Sequence, residues 1–258
     1  MIEVSQLTKL YGSFAAVSDL SFTVQPGQLL GLVGPNGAGK TTCLRCLAGI
    51  IPLTRGNIRL AGCDLATDSI AAKRQLAFFA DEPRLFEYLT VAQHLAFVAR
   101  IYGVKDADAR APRLLEELEL SEKKDSLPNE LSRGMKQKVA LACGLIHSPK
   151  VILFDEPLTG LDPLAIRRTK ETIRQLARDG ASVIISSHLL HLLEEICTHI
   201  LVVKRGILAA FGSLQDVRDQ FARGDSGVDL EEVFMRIATQ GDTPPPPSSD
   251  PAAPPPLT

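Results

Sequence analysis

Leu30-Gly31-Leu32-Val33-Gly34-Pro35-Asn36-Gly37-Ala38-Gly39-Lys40-Thr41-Thr42 decides the fold. An apolar run enters the pattern GxxxxGK(S/T), and a helix-compatible stretch leaves it. Strand, glycine-rich loop and helix in that order form a phosphate cradle. Gly34, Gly37 and Gly39 admit backbone conformations that a Cβ would forbid, so the N–H groups of a loop that also holds Pro35, Asn36 and Ala38 can converge on one triphosphate. Lys40 reaches the β- and γ-phosphates as a point charge. The Thr41 hydroxyl offers a ligand to Mg²⁺, Thr42 follows it, and the new helix turns its positive end toward the anion. A glycine-rich turn that merely joins a strand to a helix is the bland alternative, and the match of every fixed position and both flanks weighs against it.

The chain has 258 residues, 45% of them hydrophobic, and a net charge of −2, enough for one large domain or two small ones with a sizeable core. The balanced charge, with no dense Lys/Arg stripe, argues against a nucleic-acid-binding face. The sequence has no apolar run of the roughly 18 residues that a membrane-crossing helix needs. Met1-Ile2-Glu3-Val4-Ser5 lacks the character of a signal peptide, so a soluble, cytoplasmic protein is expected. Five cysteines, an odd number, are expected as free thiols. Cys43 and Cys46 form a CxxC behind the phosphate loop and read as small core residues without chemistry.

Strand-like runs occur at Ile2–Ser5, Leu20–Val24, Leu29–Val33, Asn57–Leu60, Leu76–Ala80, Val151–Phe154, Ser182–Ser187 and Ile200–Lys204. Their alternation with helical stretches predicts an α/β fold with a mostly parallel sheet core and an antiparallel N-terminal β part. From about residue 82 to 149 the pattern is helical, including Thr90–Arg100 and Arg113–Leu120, and predicts an inserted helical subdomain within a domain spanning residues 1–240. Lys204-Arg205-Gly206-Ile207 predicts a tight hairpin, and Ser213 with Asp216 three residues on predicts a helix start. Leu230, Val233, Phe234 and Ile237 share one helical face. Residues 241–258 hold eight of the seventeen prolines, so an extended, disordered tail is expected.

A phosphate cradle needs an acid to hold the metal. Val151-Ile152-Leu153-Phe154-Asp155-Glu156-Pro157 supplies it, a buried apolar strand ending in two carboxylates. Asp155 is placed to bind Mg²⁺ through water, and Glu156 to orient or deprotonate the attacking water.

With these motifs the chain resembles the nucleotide-binding subunit of an ATP-binding cassette (ABC) transporter over about residues 1–240. The resemblance implies the P-loop NTPase fold of the ABC ATPase type, with ATP and Mg²⁺ as nucleotide and cofactor. Leu131-Ser132-Arg133-Gly134-Met135 aligns with the family signature LSGGQ. Its Ser132 and Gly134 would bind the γ-phosphate held by a second cassette subunit, in a homo- or heterodimer. His188 aligns with the switch histidine, and Thr159-Gly160-Leu161-Asp162 resembles the loop that crosses the dimer interface. Tyr11 fits the aromatic that stacks on adenine. His191 lies three residues after His188, yet no third metal ligand accompanies the two histidines.

Three positions depart from the family pattern. Arg133 stands in the glycine pair of the signature, Met135 replaces its glutamine, and by spacing Asp81 takes the place of the glutamine that touches Mg²⁺ and senses the membrane partner. A carboxylate at position 81 could ligate the metal but cannot donate as an amide does. The form LSRGMKQK and the terminal Leu230-Glu231-Glu232-Val233-Phe234 are similar to cassettes of bacterial ABC-2-type exporters. The resemblance therefore implies an ATPase that powers an exporter, attached to the inner face of the cell membrane through integral membrane permease subunits. Alternatives are a cassette ATPase outside transport and a non-catalytic, nucleotide-gated regulatory cassette.

Overall fold

The computed structural model describes residues 1–222 and 229–239. Two long strands, β1 (Ile2–Tyr11) and β2 (Phe14–Val24), open the chain as an antiparallel hairpin. Both outrun the strands expected at Ile2–Ser5 and Leu20–Val24. The reason lies in Gln6 and Asp19, which take φ of 51° and 54° where the pairing register shifts. Each bulge moves the inward face by one residue, so the alternation that marks a strand breaks there.

The fully buried β3 (Leu29–Val33) follows, and then α1 (Lys40–Leu47) beyond the glycine loop. Cys43 and Cys46 on α1 are buried in the core, and burial pushes the Cys46 thiol up to about 11. These are protonated packing residues. Next come β4 (Arg55–Leu60), β5 (Cys63–Asp64), α2 (Ser69–Arg74) and β6 (Leu76–Phe79).

Helices alone fill the next stretch: α3 (Val91–Tyr102), α4 (Ala107–Glu117) and α5 (Arg133–Leu145). Thr90 and Gln93 form a reciprocal capping box at the start of α3, and Gly103 ends it at φ 68°. α4 begins earlier than the expected Arg113 and carries Pro112 in its interior, a residue that usually marks a helix boundary. Val91, Leu95, Leu115, Leu120, Val139 and Ile146 belong to an apolar core of these helices, separate from the cores beside the sheet.

The remaining elements are β7 (Val151–Asp155), α6 (Pro163–Arg178), β8 (Ser182–Ser186), α7 (Leu190–Ile196), β9 (His199–Lys204), β10 (Ile207–Ser213), α8 (Leu214–Ala222) and α9 (Leu230–Thr239). Arg205 and Gly206 both take positive φ between β9 and β10, the geometry that matches a two-residue hairpin to strand twist. The Ser213 hydroxyl accepts from Asp216 N–H at 3.1 Å and starts α8. Leu230, Val233 and Ile237 bury one face of α9, worth roughly 1.5–3 kcal/mol each. The proline-rich segment 241–258 lies outside the described residues.

One sheet has the order β2-β1-β4-β5 with antiparallel pairing, and the other the order β10-β9-β3-β8-β7-β6. In the second sheet all neighbours are parallel except β9 and β10. Thus β8 separates β3, which feeds the glycine loop, from β7, which ends in the acids. Against β6, a Cβ on Gly144 of α5 would stand 2.4 Å from the Phe79 ring, so the helix lies directly on that ring. Phe79 in turn stacks on Phe154 of β7, with ring centroids 4.8 Å apart.

Candidate functional site

The glycine loop occupies the carboxyl end of β3, beside the ends of β8 and β7. Gly34 and Gly39 are required there for different physical reasons. A Cβ on Gly34 would come 2.3 Å from the Val203 carbonyl, so this position serves a close approach to β9 at an ordinary φ. Gly39 combines φ 104° with a Cβ direction 2.3 Å from the Ala16 carbonyl, and so lets α1 start hard against β2. Gly37 has φ 78° and open space around it, which leaves its backbone turn as the reason for glycine.

Lys40 is buried, and its Nζ donates to the carbonyls of Gly34 at 2.7 Å and Pro35 at 3.3 Å. Burial lowers its pKa, while Glu156 and Asp155 pull the other way. The ammonium is thereby held over the mouth of the loop.

Thr41 Oγ1 donates to Asp155 Oδ1 at 3.2 Å. The same carboxylate oxygen accepts a shorter bond, 2.8 Å, from Ser186 Oγ. Ser186 is fully buried and stands level with Asp155 on one side and Leu32 on the other. Sequence reasoning passed over it. The available signal was a serine closing an otherwise apolar strand, Val183-Ile184-Ile185-Ser186, but its meaning depends on β8 lying between the two site strands.

Glu156 takes φ 52°, which turns its side chain out of the strand line. Its N–H faces Ser186, donating to Oγ at 3.1 Å. Glu156 Oε2 accepts from Thr159 Oγ1 at 3.2 Å and from the His188 backbone N–H at 3.4 Å. His188 Nδ1 stands 2.8 Å from the same oxygen. A carboxylate oxygen only accepts, so Nδ1 carries the proton and Nε2 faces outward as the working nitrogen.

Ser132 is the N-cap of α5, its Oγ accepting from Met135 N–H at 3.2 Å. Gly134 has helical backbone with open space where a Cβ would go, so its own fold places no demand for glycine there. Asp162 caps α6 by accepting from Ala165 N–H at 2.9 Å. Tyr11 closes β1 with its ring half exposed and Lys9 Nζ 5.1 Å from the ring centroid. Asp81 stands apart from the phosphate loop residues in its contacts: Arg133 Nη2 lies 3.7 Å from its Oδ1. His191 faces Glu231 of α9 at 4.0 Å.

Beside the site, the segment after β6 and the helices α3 and α5 enclose a cavity of about 430 Å³ lined by Phe79, Phe86, His94, Tyr102 and His147 among others. His94 is almost wholly buried; its Nδ1 lies 2.8 Å from the Thr90 carbonyl, and its Nε2 accepts from Phe86 N–H at 2.9 Å. Phe86, which lines the cavity, exposes a large apolar side chain, as do Tyr88 and Ile101 elsewhere in the helical region. Among the described residues no helix is long and apolar enough to cross a membrane.

A family model described as "ABC transporter" matches residues 17–159, which hold the loop, the signature and the acidic strand. The chain belongs to the ABC transporter family. It is 35% identical over 231 residues to the ABC-type transporter ATP-binding protein EcsA of Bacillus subtilis (strain 168), covering 89% of this chain and 94% of that protein. To the Nod factor export ATP-binding protein I of Paraburkholderia xenovorans (strain LB400) it is 36% identical, covering 90% of this chain and 76% of that protein. The probable multidrug ABC transporter ATP-binding protein YbhF of Escherichia coli (strain K12) is 34% identical across 94% of this chain, which spans 42% of YbhF. A solved structure described as "Structure of ATP binding subunit of ABC transporter" superposes with a TM-score of 0.86 at 35% identity, covering 92% of this chain and 99% of that one. As a member of this family the cassette is an ATP-binding, ATP-hydrolysing subunit of a transporter.

Proposed function

We propose that this cassette works as a dimer at the cytoplasmic face of the cell membrane, where ATP-driven closure and reopening power an exporter. Support for export comes from the relatives named for export or multidrug transport and from the LSRGM form of the signature. The observation that carries the catalytic reading is the convergence of Thr41, Asp155, Glu156 and His188 within one hydrogen-bonded group beside Lys40.

In this reading residues 34–42 cradle the triphosphate, Lys40 turns its ammonium from the loop carbonyls to the β- and γ-phosphates, and Tyr11 covers the adenine. Thr41 and Asp155 hold Mg²⁺, for which a hydroxyl and a carboxylate 3.2 Å apart are a fitting pair of hard oxygen donors. The metal, when bound, neutralises charge on the phosphate oxygens. Asp81 joins that set only if Asp81→Ala changes the Mg²⁺ requirement of turnover. Glu156 orients or deprotonates the attacking water, and His188, its Nδ1 fixed on Glu156, turns Nε2 toward the γ-phosphate. Ser132 and Gly134 of the partner cassette close the site from the other side, where an open Gly134 leaves room for phosphate. Hydrolysis removes the group that bridges the two chains, and the dimer reopens.

The membrane partner is a permease, and the 430 Å³ cavity with the exposed Phe86 in its lining is its docking place. In the test, purified wild-type protein hydrolyses ATP, whereas Glu156→Gln binds ATP, runs as a dimer and turns over about 100-fold more slowly or worse. Wild-type turnover in Glu156→Gln would overturn the assignment. Co-purification from membranes with an integral membrane protein tests the partner.

A further inference from the structure

We infer that Asp81 and Arg133 act as a positioning pair that sets the signature and the Thr159–Asp162 loop relative to the segment after β6. The inference rests on the proposed function and adds a control to it. Three segments far apart in sequence meet at the Arg133 side chain. Its Nη2 lies 3.7 Å from Asp81 Oδ1, and a Cβ on Gly160 would stand 3.0 Å from its Nη1. Gly160 holds φ 72°, so the guanidinium rests against a turn without a side chain.

Each neighbour of this contact has a task in the site. Asp81 immediately precedes Glu82, Pro83, Arg84 and Phe86, which line the cavity assigned to the permease. Arg133 follows Ser132, the cap of the signature helix. Gly160 follows Thr159, whose hydroxyl donates to Glu156 Oε2. A contact among the three therefore relates the docking cavity to both halves of the phosphate chemistry within one chain.

The pair is in ion-pair range without a hydrogen bond. Asp81 Oδ1 is buried and accepts no hydrogen bond, yet the guanidinium beside it stands beyond hydrogen-bond length. A small shift of either segment makes or breaks a charge-assisted bond. Both side chains are about half exposed, 53% for Arg133 and 48% for Asp81, so the pair contributes little to folding. Its effect is on where the loops sit. Both positions are also ones at which this chain departs from the family pattern, and the charge of one answers the charge of the other.

The experiment compares Asp81→Asn, Arg133→Gln and the exchange Asp81→Arg with Arg133→Asp in the full-length protein. Each single variant should lower kcat roughly 5-fold, with KM for ATP, the Mg²⁺ requirement and the unfolding midpoint close to wild type. The exchange should recover most of the lost kcat, which a metal ligand at position 81 could not do through arginine. Hydrogen exchange over residues 156–162 reads the contact without turnover, rising in both single variants and falling again in the exchange. Unchanged exchange in both single variants overturns the inference, as does a swap no better than the singles. A raised Mg²⁺ requirement in Asp81→Asn also overturns it and returns Asp81 to the metal. Absence of ATPase in the wild type would instead strike the proposed function, with the exchange measurement still deciding the pair.

Discussion

Ser186 Oγ and Asp155 Oδ1 lie 2.8 Å apart, joining the end of β8 to the end of β7. Because β8 runs between β7 and β3, this hydroxyl occupies the space between the acidic strand and the phosphate loop, and it holds the carboxylate that Thr41 also touches. A buried carboxylate deprived of a donor carries a desolvation penalty. Ser186→Ala is expected to cost about 1–3 kcal/mol of stability and to raise the Mg²⁺ concentration needed for half-maximal turnover. Thermal unfolding and a Mg²⁺ titration of ATPase activity check the two effects, and a variant matching wild type in both would remove Ser186 from the site.

His188 and Glu156 behave as one unit through the 2.8 Å contact at Nδ1. Replacing His188 by Ala takes away a side-chain donor to Glu156 and, in the proposed reading, the group that faces the γ-phosphate. Turnover should fall by about 100-fold or more while nucleotide binding is largely kept. Single-turnover ATPase rates beside an equilibrium binding titration separate the two; equal losses in both would mean that the histidine serves binding instead.

The glycines of the loop should respond differently to a methyl group. Gly34→Ala drives a Cβ to 2.3 Å from the Val203 carbonyl and is expected to cost about 3 kcal/mol. Gly37→Ala meets no atom within 4 Å and pays only for its left-handed backbone, about 1 kcal/mol. Denaturant unfolding of the two variants gives the order directly. The reverse order would show that loop conformation, and not the approach to β9, limits position 34.

Acidification should weaken the fold through His147. Burial lowers its pKa below the usual 6.5, a hydrogen bond to the Leu76 carbonyl opposes this, and Arg110 adds to the lowering. The folded chain thus refuses a proton that the unfolded chain accepts. The contribution is complete above the unfolded pKa and is lost as pH falls through the folded one. His147→Gln should flatten the decline of stability between about pH 7 and pH 5. Unfolding midpoints of both proteins across that range check it, and parallel curves would exclude His147 as the source.

The elements carrying the chemistry were legible because each is a contiguous signal. β3 with its loop, and β7 with Asp155 and Glu156, are read from adjacent residues. What stayed hidden depends on chain segments meeting in space. Ser186 acquires its role from strand order, and the contact of Arg133 with Asp81 and Gly160 joins three distant segments. Gly34 looked like a conformational glycine and is a steric one, because the atom it makes room for belongs to Val203. β1 and β2 were read short where Gln6 and Asp19 bulge, since periodicity is a signal only while the register holds.

The placement of Gly144 on Phe79 gives α5 the mechanics of a lever. Its fulcrum is the ring stacked on Phe154, one residue from Asp155. Its tip is Ser132, at the far end of a helix that spans about 20 Å at 1.5 Å per residue. A tilt of about 5° on the Phe79 ring therefore sweeps the signature by about 2 Å, the span between a made and a broken hydrogen bond. In the proposed dimer, the signature's approach to the partner's phosphate would in this way be geared to sub-ångström adjustments at the aromatic stack.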